Sequence, residues 1–231
     1  MFFSVITPEE RLLRQAAHEL AQSSYAEHQW LWKFFPSGAD QTRDFIFRRH
    51  ELEQVPRFYV VSQRRPTAFS EAWQVQSRDY DPQLQEGQRL FFQLRANPVI
   101  TRKNGAGKSQ RHDVVIQAKR LLLKEHGFTK DAKWKEWQDE ENKPLLYELV
   151  QKSCIEWLQS RVSNNGFEVV AASVDAYQQN NNAGKRDIRF STVDFSGELL
   201  VTQPGLFQQV LFEGLGHAKV FGCGLLLVRH L

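Results

Sequence analysis

The sequence has few of the features that mark metal-binding, secreted or membrane-embedded proteins. It contains two cysteines, Cys154 and Cys223, and neither belongs to a CxxC pair, so no zinc or redox motif is present. No apolar run approaches the roughly 18 residues that suggest a membrane span, and the first residues lack a long apolar stretch. These absences predict a soluble, cytoplasmic protein with reduced thiols and no membrane association.

The composition of the chain suits a folded core. Of its 231 residues, 41% are hydrophobic and 25% are charged, and 17 phenylalanines and six tryptophans can fill a sizeable interior. The length fits one domain or two small ones. The formal net charge of +3 is too small to indicate a partner by itself.

Positive charge is concentrated between residues 102 and 120. This segment has six basic residues and one acid, Asp113, and so carries +5, while the rest of the chain sums to −2. A local basic patch on a near-neutral body is typical of a polyanion site, although a solvated loop can have the same composition. The basic residues are Arg102, Lys103, Lys108, Arg111, Lys119 and Arg120.

The order of predicted elements indicates an α+β protein with two tandem ferredoxin-like (RRM-like) domains. Each half can be written, with imperfections, as strand, helix, strand, strand, helix, strand, which is the ferredoxin-like order. Strands are predicted at 2–7, 45–51, 57–63, 89–100, 167–177, 187–201 and 220–231, and helices at 9–20, 23–35, 144–162 and 204–214. We expect domains at 1–97 and 98–231. The segment 128–143, rich in charge and tryptophan, is compatible with a helix or a surface insertion.

The predicted helix at 23–35 carries polar residues that a core helix does not need. On a helical wheel Tyr25, His28 and Trp32 fall together beside the apolar face, whereas Lys33 lies about 140° from His28 and would have to reach around the helix end. A lone histidine in this position is more often a boundary residue than a catalytic one. The apolar face expected to pack on the sheet consists of Trp30, Leu31, Phe34 and Phe35.

Two glycine-containing motifs are candidate anion sites. "NGAGKS" (104–109) imitates a phosphate-binding loop, but the full pattern needs glycine where this chain has Arg102, so a flexible basic loop is favoured. "GLGHAKVFGCGLL" (214–226) places four glycines around Lys219. Glycines let a backbone approach a ligand closely, which would suit a phosphate backbone, although a tight turn into the last strand is by itself the favoured explanation.

Three motifs in this order resemble the CasE family, the repeat-processing endoribonucleases of type I-E CRISPR systems. They are Y-x-x-H-x-x-x-x-K, "RLFFQLRANPVI" followed by the basic loop, and the glycine-rich loop, in which His217 stands where family members often have proline. The resemblance covers nearly the whole chain and implies two ferredoxin-like domains that bind the hairpin of a CRISPR repeat in precursor RNA and cut at its 3′ base. It also implies an enzyme that needs no metal or other cofactor and stays on its product with the other subunits of the Cascade complex.

The resemblance also assigns roles to single residues. His28 and Tyr25 match the family's catalytic histidine and tyrosine, and Lys33 matches a lysine that assists in some members. Histidine suits transfer of the proton of the RNA 2′-hydroxyl, which would leave a 2′,3′-cyclic phosphate. The alternatives are a non-catalytic module that binds an RNA hairpin and a nucleotide-dependent enzyme that uses "NGAGKS". The implied RNA-binding residues are Arg102, Lys103, Lys108, Arg111, Lys119, Gly216, Lys219, Gly222 and Gly224.

Overall fold

A computed structural model of the chain describes residues 1–20, 24–35, 42–103, 105, 107–139, 141–162, 164–182 and 188–231; at 24, 25, 181, 182 and 188 it describes the backbone alone. In these ranges the strands form two four-stranded antiparallel sheets and one two-stranded hairpin, with helices between some of the strands. Both cysteines are free and buried. Within the described ranges no helix is long and apolar enough to cross a membrane.

The first sheet belongs to the N-terminal domain. Its four strands are β1 (Phe2–Pro8), β2 (Phe45–Leu52), β3 (Val55–Ser62) and β4 (Trp73–Asp79), and their order is β2-β3-β1-β4. A 3₁₀ turn (Glu10–Leu12), α1 (Leu13–Glu19) and α2 (Ser24–Trp32) connect β1 to β2. This order is that of a ferredoxin-like unit. The described connection between β3 and β4 contains no helix, so the unit lacks its usual second helix.

The apolar face predicted for α2 forms the core of this domain. Trp30 stacks edge-on against Trp73 with ring centroids 4.5 Å apart, and Phe35 lies flat on Phe45 at 4.7 Å. Trp30, Leu31, Phe34 and Phe35 are all 2% exposed or less, as the helical wheel predicts. Burying each such side chain stabilises the fold by about 1.5–3 kcal/mol, so the helix is held firmly against the sheet.

The second sheet has the order β10-β5-β9-β8, which is again ferredoxin-like. The remaining strands are β5 (Arg89–Ala96), β6 (Val99–Lys103), β7 (Ser109–Asp113), β8 (Phe167–Asn182), β9 (Ile188–Val201) and β10 (Leu226–His230). The remaining helices are α3 (Val114–Glu125), α4 (Leu146–Val162) and α5 (Pro204–Glu213), with 3₁₀ turns at Trp134–Glu136 and Lys219–Phe221. The tandem ferredoxin-like fold expected from the sequence is therefore confirmed.

The division between the two sheets differs from the boundary expected near Pro98. β5 pairs with β9 and β10, so it is a central strand of the C-terminal sheet, and the chain passes from one sheet to the other between Asp79 and Arg89. The strand predicted at 89–100 is interrupted at Asn97, whose side-chain amide donates to the Ser191 carbonyl at 2.7 Å. After Pro98 the chain leaves the sheet and forms the β6–β7 hairpin.

The two domains share an apolar contact and a buried ion network. Ile46 and Val61 of the first sheet pack against Leu225, which precedes β10. Next to this contact, Asp194 on β9 accepts two hydrogen bonds from Arg95, at 2.9 and 2.8 Å. Arg48 on β2 reaches the same carboxylate at 3.5 Å. These contacts fix the position of α2 relative to the C-terminal loops.

Candidate functional site

An open cleft lies between Arg43, which precedes β2 in the N-terminal domain, and several elements of the C-terminal domain. Its walls come from the β6–β7 hairpin, the start of α3, the β8–β9 pair and the glycine-rich loop at 214–224. The charged and titratable residues among its lining are Arg43, Arg111, Asp113, Arg189, His217 and Lys219. The carboxylate of Asp113 is used within the protein, since it caps α3 through the Ile116 amide and accepts from the Tyr177 hydroxyl. Positive charge therefore dominates the cleft, as a polyanion site requires.

The glycine-rich loop presents some of its residues to the cleft and buries others. Gly216 and Lys219 line the cleft, and burial lowers the pKa of the Lys219 ammonium, with a smaller contribution from Arg43 in the same direction. Gly222 and Gly224, at the end of the loop, are buried in the protein. All four residues were expected to contact RNA, and the structure brings two of them, Gly216 and Lys219, to the cleft.

The two buried glycines are required by contacts inside the protein. Gly222 has φ +77°, and a Cβ there would lie 3.2 Å from the ring of Phe47. At Gly224, with φ +96°, a Cβ would lie 2.9 Å from the Leu215 carbonyl oxygen. The Gly224 amide donates to the Arg95 carbonyl at 2.7 Å, which ties the loop to β5. The tight-turn interpretation of these positions therefore explains why they are glycine.

The predicted basic residues are distributed over two faces of the β6–β7 hairpin. Arg111 lines the cleft, whereas Arg102 lies on the opposite side, in a groove formed with α3 and residues 128–132. Lys103 and Lys108 are exposed at the end of the hairpin. Lys119, on α3, lies 6.0 Å from the ring centroid of Trp134, away from the cleft lining.

The motif "NGAGKS" lies at the tip of this hairpin. Asn104 and Ala106 are outside the described residues, but Lys108 is followed directly by β7. A phosphate-binding loop needs a helix N-terminus after its lysine, because the helix amides bind the phosphate. The strand at this position argues against the nucleotide-dependent alternative.

The unassigned segment 128–143 is a surface insertion rather than a long helix. Trp137 is 2% exposed and packs on His126 at 4.3 Å and on Trp134 at 5.4 Å. The Lys143 ammonium donates to the Trp137 carbonyl at 2.7 Å and lies over the Trp134 ring. The tryptophans of this segment therefore form a small satellite core against the end of α3.

His28 lies on α2 with its ring held between aromatic side chains. The imidazole stacks on Phe45 at 5.6 Å and meets Trp32 edge-on at 6.2 Å. Its Nε2 atom is shielded and has no hydrogen-bond partner among the described residues. Burial lowers the pKa of His28, and the nearby charge of Arg43 lowers it further. The ring is consequently neutral at pH 7, with a nitrogen atom free to accept a proton.

Its neighbour Glu27 anchors α2 to the sheet. The buried Glu27 carboxylate forms an ion pair with Arg49 on β2, and Arg49 also binds Glu51. Burial raises the pKa of Glu27, and the hydrogen bond from Arg49 opposes this effect. This pair fixes the rotation of the helix and with it the direction in which His28 projects.

The other two predicted catalytic residues are Tyr25 and Lys33. The backbone of Tyr25 lies in α2 almost one turn before His28, and its side chain is outside the described residues. The Lys33 ammonium lies 5.2 Å from the ring centroid of Phe69, and its charge helps to lower the pKa of Glu19. Lys33 thus lies on the other side of the helix from His28, as the 140° separation predicts.

Among the described residues, Arg43 is a cation whose charge acts on His28, and its place at the cleft was not predicted from the sequence. Arg43 lines the cleft, and its charge acts on both His28 and Lys219. In the sequence it stands in "QTRDF", which matches no motif and has no periodicity. Only the pairing of β2 in the sheet brings it to the cleft.

The fold and the cleft together define a class of protein. It has tandem ferredoxin-like domains and a cationic cleft beside a partly buried histidine whose Nε2 has no partner in the part of the chain that the structure describes, an arrangement suited to nucleic acid.

The chain belongs to the CRISPR associated protein family, whose model matches residues 1–230. It is 28% identical over 212 residues to the CRISPR system Cascade subunit CasE of Escherichia coli (strain K12), covering 91% of this chain and 94% of the relative. The similarity to CasE that the sequence motifs indicate is thereby confirmed.

Solved structures show the same fold. The crystal structure of the CRISPR-associated protein Cas6e from Escherichia coli K-12 matches with a TM-score of 0.63 at 23% identity, covering 100% of both chains. Thermus thermophilus Cse3, bound to an RNA representing a pre-cleavage complex, matches with a TM-score of 0.64 at 21% identity, covering 99% of this chain and 98% of that one.

Proposed function

We propose that this protein is a metal-independent endoribonuclease that binds the repeat hairpin of a CRISPR precursor RNA and cuts at the hairpin's 3′ base. We further propose that it remains on the product and joins the other subunits of a Cascade complex. Membership of the CRISPR associated protein family and the similarity to a Cascade subunit support the RNA substrate and the assembly. The observation that carries the catalytic assignment is His28, an imidazole with a lowered pKa beside a cationic cleft, whose shielded Nε2 is not hydrogen-bonded to any described residue.

The proposed reaction uses the nucleophile that RNA already contains. His28 Nε2 takes the proton of the 2′-hydroxyl, the 2′-oxygen forms a bond to phosphorus, and the bond from phosphorus to the 5′-oxygen breaks. The products are a 2′,3′-cyclic phosphate and a 5′-hydroxyl, the departing oxygen being protonated by the imidazolium or by water. Burial favours this role, because a neutral imidazole accepts the proton and an imidazolium in a desolvated site readily returns it.

Tyr25 and Lys33 have supporting roles in this proposal. Tyr25 lies almost one turn before His28 on α2, where it could orient the ribose. Lys33 supplies positive charge at a greater distance, since its ammonium would have to leave the Phe69 ring to reach the phosphate. Together they would assist a reaction that depends chiefly on His28.

RNA binding is assigned to the cleft and the hairpin. Arg111, Lys219 and the exposed backbone at Gly216 line the cleft and can contact phosphates, while Arg102, Lys103 and Lys108 can follow the backbone of the stem beyond it. Lys119 stays a predicted contact at the far side of the hairpin. Gly222 and Gly224 contribute indirectly, because they allow the loop to fold into the shape that presents Lys219.

The decisive experiment compares His28→Ala with wild type on the organism's own repeat RNA in EDTA, with sizing of the products. Losing general base catalysis should slow cleavage by about 10²–10⁴-fold, while hairpin binding stays nearly intact. A substrate with a 2′-deoxy nucleotide just 5′ of the cut should resist the wild-type enzyme, because the nucleophile is missing. The matched control is His18→Ala, which removes an exposed histidine on α1, outside the cleft.

Each departure from this pattern has a definite meaning. Cleavage of the deoxy substrate would show that water is the nucleophile, and loss of activity in EDTA would show that a metal is needed. Normal cleavage by His28→Ala would remove His28 from the mechanism. If the wild-type protein binds the repeat RNA but does not cut it, the result would support the alternative of a non-catalytic RNA-binding module.

A further inference from the structure

Arg43 is a partly buried cation with a free hydrogen-bond donor. Its NH1 nitrogen is shielded from solvent and has no hydrogen-bond partner among the described residues. Burial lowers the pKa of its guanidinium. A shielded, unpaired donor on a charged group is costly, so such a group is expected to have a partner that arrives from outside.

The surroundings of Arg43 place it at the proposed reaction centre. It lines the cleft, and its charge lowers the pKa values of His28 on one side and Lys219 on the other. α2 packs against the 3₁₀ turn Lys219–Phe221 at the same place. An anion bound to Arg43 would therefore lie within the influence of the histidine and of the cationic loop.

The backbone at Arg43 is fixed by the residue that follows it. Asp44 accepts a bidentate pair of hydrogen bonds from Arg64, at 2.7 and 2.8 Å, and its carbonyl accepts from the Gln63 amide at 3.1 Å. The next residue, Phe45, is the one on which the His28 ring stacks. Arg43 and His28 are thus positioned by the same end of β2, which is the kind of rigid support that a catalytic group needs.

Three other described cations near α2 are directed elsewhere. Arg49 is held by Glu27 and Glu51, Arg48 reaches Asp194, and Lys33 lies over Phe69. Among the described basic residues of the N-terminal domain, Arg43 is the one that lines the cleft.

From this geometry we infer that Arg43 is a catalytic residue, whose guanidinium binds the non-bridging oxygens of the scissile phosphate while His28 accepts the 2′-hydroxyl proton. The inference rests on the proposed function. The guanidinium transfers no proton: it donates two hydrogen bonds in the planar arrangement that matches a phosphate and offsets the charge that builds on it as the 2′-oxygen attacks. Cleavage then needs two N–H donors in one plane at residue 43, and a positive charge alone is not sufficient.

The test compares Arg43→Gln and Arg43→Lys with Arg14→Gln, which removes an exposed arginine on α1, outside the cleft lining. Single-turnover cleavage at saturating repeat RNA should fall by about 10²–10³-fold in Arg43→Gln, the range found when one preorganised donor to a transition state is lost. Arg43→Lys should be intermediate, and Arg14→Gln unchanged. The Kd of Arg43→Gln for uncleavable 2′-deoxy repeat RNA should rise much less than its rate falls.

A second measurement needs no RNA. NMR titration of His28 in the free protein should show a higher pKa in Arg43→Gln than in wild type, because a neighbouring positive charge is gone. An unchanged His28 pKa would overturn the placement of Arg43. Wild-type cleavage rates in Arg43→Gln, with His28→Ala inactive, would overturn the inference and leave the proposed function intact. Failure of the wild-type protein to cut repeat RNA would refute the proposed function itself, and with it this role for Arg43.

Discussion

At the scale of single residues, the protonation of His28 sets the expected pH dependence. Burial and Arg43 lower its pKa in the folded protein below the ordinary value near 6.5. The neutral form therefore persists to lower pH than for an exposed histidine, and cleavage should be lost only as pH falls through this lowered pKa. The unfolded chain protonates His28 at a higher pH than the folded protein does. The free energy of unfolding should therefore decrease as pH falls through the ordinary histidine pKa.

This prediction can be checked by titrating the His28 ring by NMR and by measuring single-turnover cleavage against pH. The two midpoints should agree, and both should lie below the ordinary histidine value near 6.5. A His28 midpoint at or above about 6.5 would contradict it.

Residue-scale features were partly predictable from the sequence. The helical wheel separates the buried face of α2 from the edge with His28, and it separates Lys33 from His28, because these relations depend on helix geometry alone. It could not predict the stacking on Phe45 or the approach of Arg43. Both depend on β2, which is distant from α2 along the chain.

At the scale of elements, two substitutions in the glycine-rich loop separate the cost of a steric contact from the cost of an unfavourable backbone conformation. Gly222→Ala and Gly216→Ala both place a side chain at positive φ, +77° and +80°, so both share the conformational cost. At Gly222 the new methyl group would also lie 3.2 Å from Phe47, whereas at Gly216 the nearest atoms are 3.7 Å away on Trp157. Gly222→Ala should therefore lower the free energy of unfolding more, by an extra ~1 kcal/mol or more, typical of overpacking.

Urea denaturation of both variants measures this difference. Equal losses in the free energy of unfolding would show that Phe47 moves aside freely and that conformation alone requires the glycine.

The elements themselves were predictable where apolar periodicity is strong. β1, β2, β3, α2, α4 and α5 lie where the sequence predicts them, within a few residues. α3 was not predicted, because its segment was interpreted from its charge as part of a basic patch. Asp113 followed by Val114 and Val115 is nevertheless a recognisable helix start. β4 was missed because its exposed residues are polar and only Trp73 is fully buried.

At the scale of the whole molecule, Asp194 should be essential to the joint between domains. Asp194→Asn keeps the shape of the side chain but leaves Arg48, whose side chain is 7% exposed, without its countercharge. Removing one partner of a buried pair should lower the free energy of unfolding by about 3 kcal/mol. Glu198→Gln on the same strand is the matched control, since its pair with Arg89 is exposed and should contribute at most about 1 kcal/mol.

Thermal or urea unfolding of the two variants checks this expectation. Replacing Arg48 by methionine in the Asp194→Asn background should restore part of the loss, because the unpaired buried charge is then gone as well. Similar small losses for Asp194→Asn and Glu198→Gln would show that the network does not stabilise the joint.

The tandem architecture was predictable from the order of elements and from the motifs, but the joint was not. Arg48 and Asp194 lie far apart in sequence, and no periodic pattern marks either of them. The same holds for the domain boundary: β5 has the alternating pattern of a half-buried strand, which says nothing about which sheet it enters.

The pairing of β5 also bears on how the protein is made. The four strands of the first sheet lie within residues 2–79, so that sheet can form early in translation. β5 emerges next, but its Leu94 pairs with Phe195 and with Leu226, more than a hundred residues later. Such distant pairings form slowly, so β5 stays without a strand partner next to the folded N-terminal sheet until β9 and β10 have been synthesised. Until residues 214–224 have been synthesised, the cleft next to α2 is incomplete, so under the proposed function the nascent chain would not yet cut RNA.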